Sequence, residues 1–121
     1  MNIETALKEA MTIDGALGVA LVDYESGMTL GISGGGRDLD LEVAAAGNTE
    51  VVRAKARTLE ALGIKDSIED ILITLDRQYH VIRLLSRGGS QLFFYLALDR
   101  ERANLALARH GLRRIEGEVS I

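Results

Sequence analysis

Residues 69–98 read EDILITLDRQYHVIRLLSRGGSQLFFYLAL, and this segment decides the fold. Ile71–Leu75, Tyr79–Leu85 and Leu92–Leu98 are short apolar runs rich in β-branched and aromatic residues, the composition of strands. Asp76-Arg77-Gln78 and Ser86-Arg87-Gly88-Gly89-Ser90 separate them with polar and glycine residues that favour chain reversal. The segment therefore reads as a three-stranded meander.

Working outward, Ala16–Val22 is nearly continuous apolar sequence, the pattern of a strand covered on both faces. Glu25-Ser26-Gly27 turns it into a second, weaker strand, Met28–Ser33, which Gly34-Gly35-Gly36 ends. Asp38 or Asp40 then caps a long helix running to about Leu62, with Gly63 placed as its C-terminal stop. Leu41, Ala45, Asn48, Val52, Ala56, Leu59 and Leu62 share one stripe, which Ala44 and Val51 widen. So many alanines let this helix approach another backbone closely, and it is expected to pack on two things at once. A short amphipathic helix over 3–11 precedes the first strand, with Ile3, Ala6, Leu7, Ala10 and Met11 on its apolar side. After the meander, Asp99 is expected to cap a last helix that buries Ala103, Leu105, Ala106, Leu107, Leu112 and Ile115.

The order is thus helix, two strands, helix, three strands, helix. It predicts an α/β sandwich with both sheet faces covered. No proline, repeat or long polar linker interrupts the sequence, so one domain over 1–121 is expected.

Bulk composition excludes several functions. Apolar residues at 47 % and charged residues at 26 % describe a folded domain, neither disordered nor fibrous. Fourteen basic against eighteen acidic residues leave a net charge of −4, which argues against a chain that neutralises nucleic-acid phosphates. The absence of cysteine removes disulfide frameworks, thiol nucleophiles and thiolate metal sites together, and fits a reducing compartment. The first residues lack a basic-then-apolar signal layout, and the apolar runs near 16–22 and 92–98 are too short to span a bilayer as helices. A cytoplasmic protein without integral membrane association is expected.

The chemistry-bearing residues do not assemble into a recognised motif. The glycine run Gly31–Gly36 follows a strand and precedes a helix, as a phosphate-binding loop does. It lacks the following Gly-Lys-Ser/Thr, Leu39 occupies the third glycine position of the dinucleotide pattern, and Asp38 and Asp40 oppose phosphate. A flexible connection is the expected role. His80 and His110 have no metal-ligand partner at local spacing. His80 is expected on a polar face or in a hydrogen-bonded niche, and a hydrolase built on it with a distant acid ranks last among functions. His110 suits the C-terminal end of its helix. No serine lies in a Gly-x-Ser-x-Gly elbow. No catalytic residue, cofactor or metal is therefore assigned. Arg37 and Arg87, both beside glycines, are the candidate partner-contact arginines; Arg87 could reach a partner's phosphate as an arginine finger, but a solvated hairpin arginine is the commoner role and the expected one.

Ile71-Leu72-Ile73-Thr74-Leu75 combines strong β-propensity with no charge or proline. Left at an open edge it would template aggregation, so it needs either an interior position or an edge paired with another chain.

IDGALGVALVDYESGMTLG (13–31), EDILITLDRQYHVIRLL (69–85) and LFFYLALDRERANLALARHGLR (92–113) closely resemble bacterial roadblock proteins, a family that includes roadblock-type dynein light chains. The similarity spans nearly the whole chain. Its most specific parts are Gly-x-x-x-Val-Asp-x-x-x-Gly from Gly18 to Gly27 and Leu-Asp-Arg-x-x-Ala-Asn-Leu-Ala from Leu98 to Ala106. The resemblance implies a five-stranded, mostly antiparallel sheet of order 2-1-5-4-3, with the long helix on one face and the terminal helices on the other. It also implies homodimers that join third strands edge to edge and pair the long helices. That places Ile71, Ile73 and Leu75 at the sheet junction and Ala45, Asn48, Val52, Ala56 and Leu59 at the helix contact. Family members are platforms for Ras-like small GTPases, and some stimulate hydrolysis without inserting an arginine, so a non-enzymatic scaffold or regulator is implied. The alternatives that remain are a small-ligand sensor and an interaction module with no GTPase partner.

Overall fold

A computed structural model describes residues 1–85 and 90–121. Three helices and five strands follow the expected order: α1 (Ile3–Ala10), β1 (Ala16–Asp23), β2 (Met28–Gly34), α2 (Leu41–Ala61), β3 (Asp70–Thr74), β4 (Gln78–Leu84), β5 (Leu92–Asp99) and α3 (Leu105–Glu118). The strands form one sheet of order β2-β1-β5-β4-β3, and every neighbouring pair is antiparallel. The most apolar strands, β1 and β5, therefore occupy the protected positions, and β2 and β3 are the two edges.

Alternation along each strand divides the core into two layers. Val19, Leu21, Val81, Phe94 and Leu96 point toward α1 and α3 and pack on Leu7, Leu112 and Ile115. Ala20, Val22, Ile82, Phe93 and Tyr95 point the other way and pack on Leu41, Ala45 and Val52 of α2. One helix on one face and two on the other match the implied layering.

Local chemistry sets the helix ends. The Asp40 carboxylate accepts from the Glu42 and Val43 amides and starts α2. At its end the Gly63 amide donates to the Glu60 carbonyl and the Ile64 amide to the Leu59 carbonyl. This double closure needs Gly63 in the left-handed region, at φ +68°. Near the other edge, a Cβ on Gly31 would stand 2.7 Å from a Leu7 methyl carbon, so glycine is what lets α1 lie on β2.

Three readings change. Asp99 does not cap α3: its amide donates to the Gly15 carbonyl, extending β5, and its carboxylate holds the Glu101 amide in the turn that follows. Asn104 is the cap, accepting from the Leu107 amide. The buried stripe runs through Ala108, Leu112, Ile115 and Glu116, with Ala103 and Leu105 at its margin, whereas Ala106 and Leu107 are exposed. His110 lies mid-helix and exposed, away from the C-terminal turn. The glycine run closes into a defined bend, with Gly36 and Leu39 exchanging backbone hydrogen bonds.

Candidate interaction surface

The third strand is the edge that the sequence could not place. Its register with β4 pairs Asp70 with Arg83, Leu72 with Val81 and Thr74 with Tyr79. The Leu75 amide donates to the Gln78 carbonyl and the Leu84 amide to the Glu69 carbonyl. Odd-numbered residues thus bond inward, and antiparallel alternation turns the N–H and C=O groups of Asp70, Leu72 and Thr74 away from the sheet. Side chains follow the complementary rule. Ile71 packs in the layer under α2, while Leu72, 38 % exposed, faces the side of α3.

Both ends of this edge are tied down. Arg109 makes two hydrogen bonds to the Asp70 carboxylate, at 2.8 and 2.9 Å, and this ion pair raises the arginine's pKa. Arg83 reaches Glu69 and the buried Glu116, each at 3.2 Å, and Arg113 reaches Glu69 at 2.8 Å. At the far end Arg100 lies over the Tyr79 ring and donates to the Leu75 carbonyl. These contacts join α3, β4 and the turn after β5 to a strand that has a neighbour on one side only.

Beside this edge, α2 leaves part of the sheet uncovered. The helix packs chiefly over β1 and β2, and its C-terminal half lines a groove. Between that half, the 63–69 connection and the end of β4 lies a groove of about 500 Å³ floored by Tyr24, Val52, Ala56, Leu59, Ile68 and Leu84.

The expected dimer residues therefore separate into four groups. Ile71, Ile73 and Leu75 lie on or next to the free edge, and Ala56 and Leu59 line the groove. Asn48 is half-buried, its side-chain amide donating to the Ala44 carbonyl. Ala45 and Val52, at 0 % and 1 % exposure, are buried in the chain's own core. The outward line of α2 is instead Val43, Gly47, Val51 and Ala54, which the buried stripe in the sequence concealed. Arg37 is exposed in the bend after β2, next to the opposite edge of the sheet. Arg87 lies outside the described residues.

His80 occupies a hydrogen-bonded niche. Its Nε2 lies 2.7 Å from Gln78 Oε1 and its Nδ1 lies 3.2 Å from Tyr95 Oη, an arrangement the neutral Nε2–H tautomer satisfies with Tyr95 donating. Burial lowers the pKa of His80 and pushes that of Tyr95 up to about 12. The niche holds no carboxylate within these contacts. Among the described residues, no group of His, Cys, Asp and Glu has the arrangement of a metal site, and no helix is long and apolar enough to cross a membrane.

No family model and no curated protein matches the sequence. Solved structures do. A roadblock/LC7 domain from Streptomyces avermitilis is 12 % identical with a TM-score of 0.81, over 97 % of this chain and 93 % of that one. MglB from Myxococcus xanthus is 18 % identical with a TM-score of 0.76, over 94 % and 78 % of the two chains. An MglB solved in a tetrameric arrangement is 17 % identical with a TM-score of 0.79, over 93 % and 81 %. The chain has the roadblock/LC7 fold. Its likeness within that fold extends to MglB.

Proposed function

We propose that this chain is a homodimeric scaffold or regulator of a Ras-like small GTPase and supplies no catalytic group of its own. The observation that carries this reading is the β3 edge, apolar between two anchored ends and flanked by the α2 groove. An antiparallel pair centred on Leu72 sets outward-bonding residues against each other, Asp70 facing Thr74 of the copy. It also sets Arg77 of one copy toward the already paired acids at the start of the other's β3, so no like charges oppose self-pairing. Such an interface is isologous, each surface meeting its own image. The likeness to MglB, one example of which was solved as a tetramer, supports assembly from several copies. In this reading, as the resemblance to the family implies, stimulation of hydrolysis would come from reshaping the GTPase's own site.

Ile73→Asp places a carboxylate in the junction and should weaken self-association by roughly a hundredfold, as expected for an uncompensated buried charge. Sedimentation at micromolar concentration measures this, and an unchanged dimer removes β3 from the interface. The GTPase reading is tested by binding candidate small GTPases in their GTP-analogue and GDP states and by following hydrolysis. A wild-type dimer that shows no nucleotide-dependent binding to any candidate overturns it.

The groove supports a second reading, a small-ligand sensor, because about 500 Å³ with an apolar floor lies within the usual range of ligand pockets. A thermal-shift screen decides this, since a ligand that binds only the folded state must raise the melting temperature.

A further inference from the structure

The opposite edge of the sheet is also unpaired, and its surroundings differ. β2 spans Met28–Gly34 and contains neither charge nor proline. Met28, Leu30 and Ile32 are 70 %, 43 % and 46 % exposed. The register shift between Leu21 and Val22 gives β2 one extra residue, and a bulge of this kind sends neighbouring side chains to the same face. Leu30 therefore joins Leu92 and Ile121 in a hollow on the α1–α3 side, and Ile32 joins Leu39 and Leu41 in another on the α2 side. An incoming strand meets apolar surface on both of its faces. The Gly35 amide donates to the Leu17 carbonyl, so odd residues at this end bond inward to β1 and the Ile32 backbone points outward.

Among the described residues, each hollow carries two carboxylates and no lining cation. Asp23 and Glu25 stand in the first, Asp40 and Glu42 in the second. Among the described residues, no salt bridge engages Glu25, Asp38 or Glu42. The nearby cations do not reverse this balance. Arg53 bonds the Tyr24 and Glu25 carbonyls and pairs with Glu50, Lys8 pairs with Glu4, and Arg37 stands alone against Asp38, Asp40 and Glu42. Self-pairing at this edge would bring the Asp23–Glu25 end of one copy against the Asp38–Glu42 end of the other, acid against acid.

We propose that β2 is a docking edge for a different protein, which enters as an extended strand with apolar residues at its centre and lysine or arginine at both ends. Backbone pairing supplies the shared affinity of strand addition, the two hollows take side chains from alternate faces, and the carboxylates select the ends. This inference rests neither on the dimer nor on the GTPase.

The test uses two fluorescent peptides with a common valine–threonine–isoleucine–threonine–valine centre, flanked by paired lysines or by paired glutamates. In anisotropy titrations the lysine peptide should bind at least about tenfold more tightly at low salt, the sum expected of several exposed ion pairs. Rising ionic strength should erase the preference. Amide shifts on binding should centre on Thr29–Ser33. Glu25→Lys combined with Glu42→Lys, both on exposed side chains, should reverse the preference, and Ile32→Lys should weaken both peptides. Equal binding of the two peptides, no binding of either, shifts centred on Asp70–Thr74, or an unchanged preference in the double variant would each overturn the proposal.

Discussion

The two edges of the sheet expose similar backbone but prepare it differently. β3 is short and held at both ends, by Arg109 and Arg83 near Asp70 and by Arg100 near Leu75. Its acids are already neutralised by α3, so a second copy meets a rigid apolar ribbon with little charge left to oppose it. β2 is longer, bulged and thinned by glycine so that α1 can lie on it, and among the described residues no salt bridge engages the acids around its two hollows. An open strand alone thus does not define an interface. The charge pattern around it decides whether the same molecule or a different one fits.

The sharpest way to break the contrast is to untie β3. Arg83 is shared by Glu69 and the buried Glu116, and Arg83→Met should cost about 2 kcal/mol, the scale for losing a hydrogen bond to a charged group. Urea denaturation measures the loss. Hydrogen exchange should then show the Asp70–Thr74 amides opening faster while β1 and β2 amides keep their order. Equal loosening throughout would mean that the ion pairs hold the whole fold and not the edge.

A smaller effect is expected beside β2. Asp40 both caps α2 and lines the acidic hollow. Asp40→Ala should cost about 1 kcal/mol through the lost cap and should also reduce discrimination between lysine- and glutamate-flanked peptides. Asp40→Asn keeps an oxygen for the cap, so it should restore stability and leave discrimination reduced. Thermal unfolding and anisotropy together separate the two roles.

The smallest effect belongs to His80, one strand in from β3. Burial lowers its pKa below the 6.5 of an unperturbed imidazole, so the unfolded chain takes up the proton more readily than the folded one. Stability is then retained above that value and falls as pH drops below it. Protonation also makes Nδ1 a donor and forces the Tyr95 hydroxyl to turn. Urea midpoints at about pH 7.5 and about pH 5.5 should fall in wild type by more than in His80→Gln, and an equal fall in both would remove His80 from the acid response.

Much of the architecture was legible because it depends on local rules. Short apolar runs bounded by turn residues located the strands, Asp38 or Asp40 and Gly63 marked the ends of the long helix, and an uncharged Ile71–Leu75 demanded cover or a partner. The last helix was harder to read, since Asp99 and Asn104 are both capping residues five positions apart. The choice fell to Asn104 because strand pairing claimed Asp99. The surface was less legible than the fold. Asp70 meets Arg109 across 39 positions and Glu69 meets Arg113 across 44, and no spacing rule announces either contact. The hollows beside β2 are likewise built from a hairpin, a strand and the final residue on one side, and from a bend and a helix start on the other.

The sequence by itself determined which segments are helix and strand, and that one apolar ribbon needed explaining, because propensity and periodicity act within a few residues. Only the tertiary structure decided that this ribbon lies at an edge, that Ala45 and Val52 are consumed inside the chain, and that the two edges carry different charge. Those outcomes depend on which distant groups the fold brings within a few ångströms, and that distance is what sets packing and electrostatic interaction.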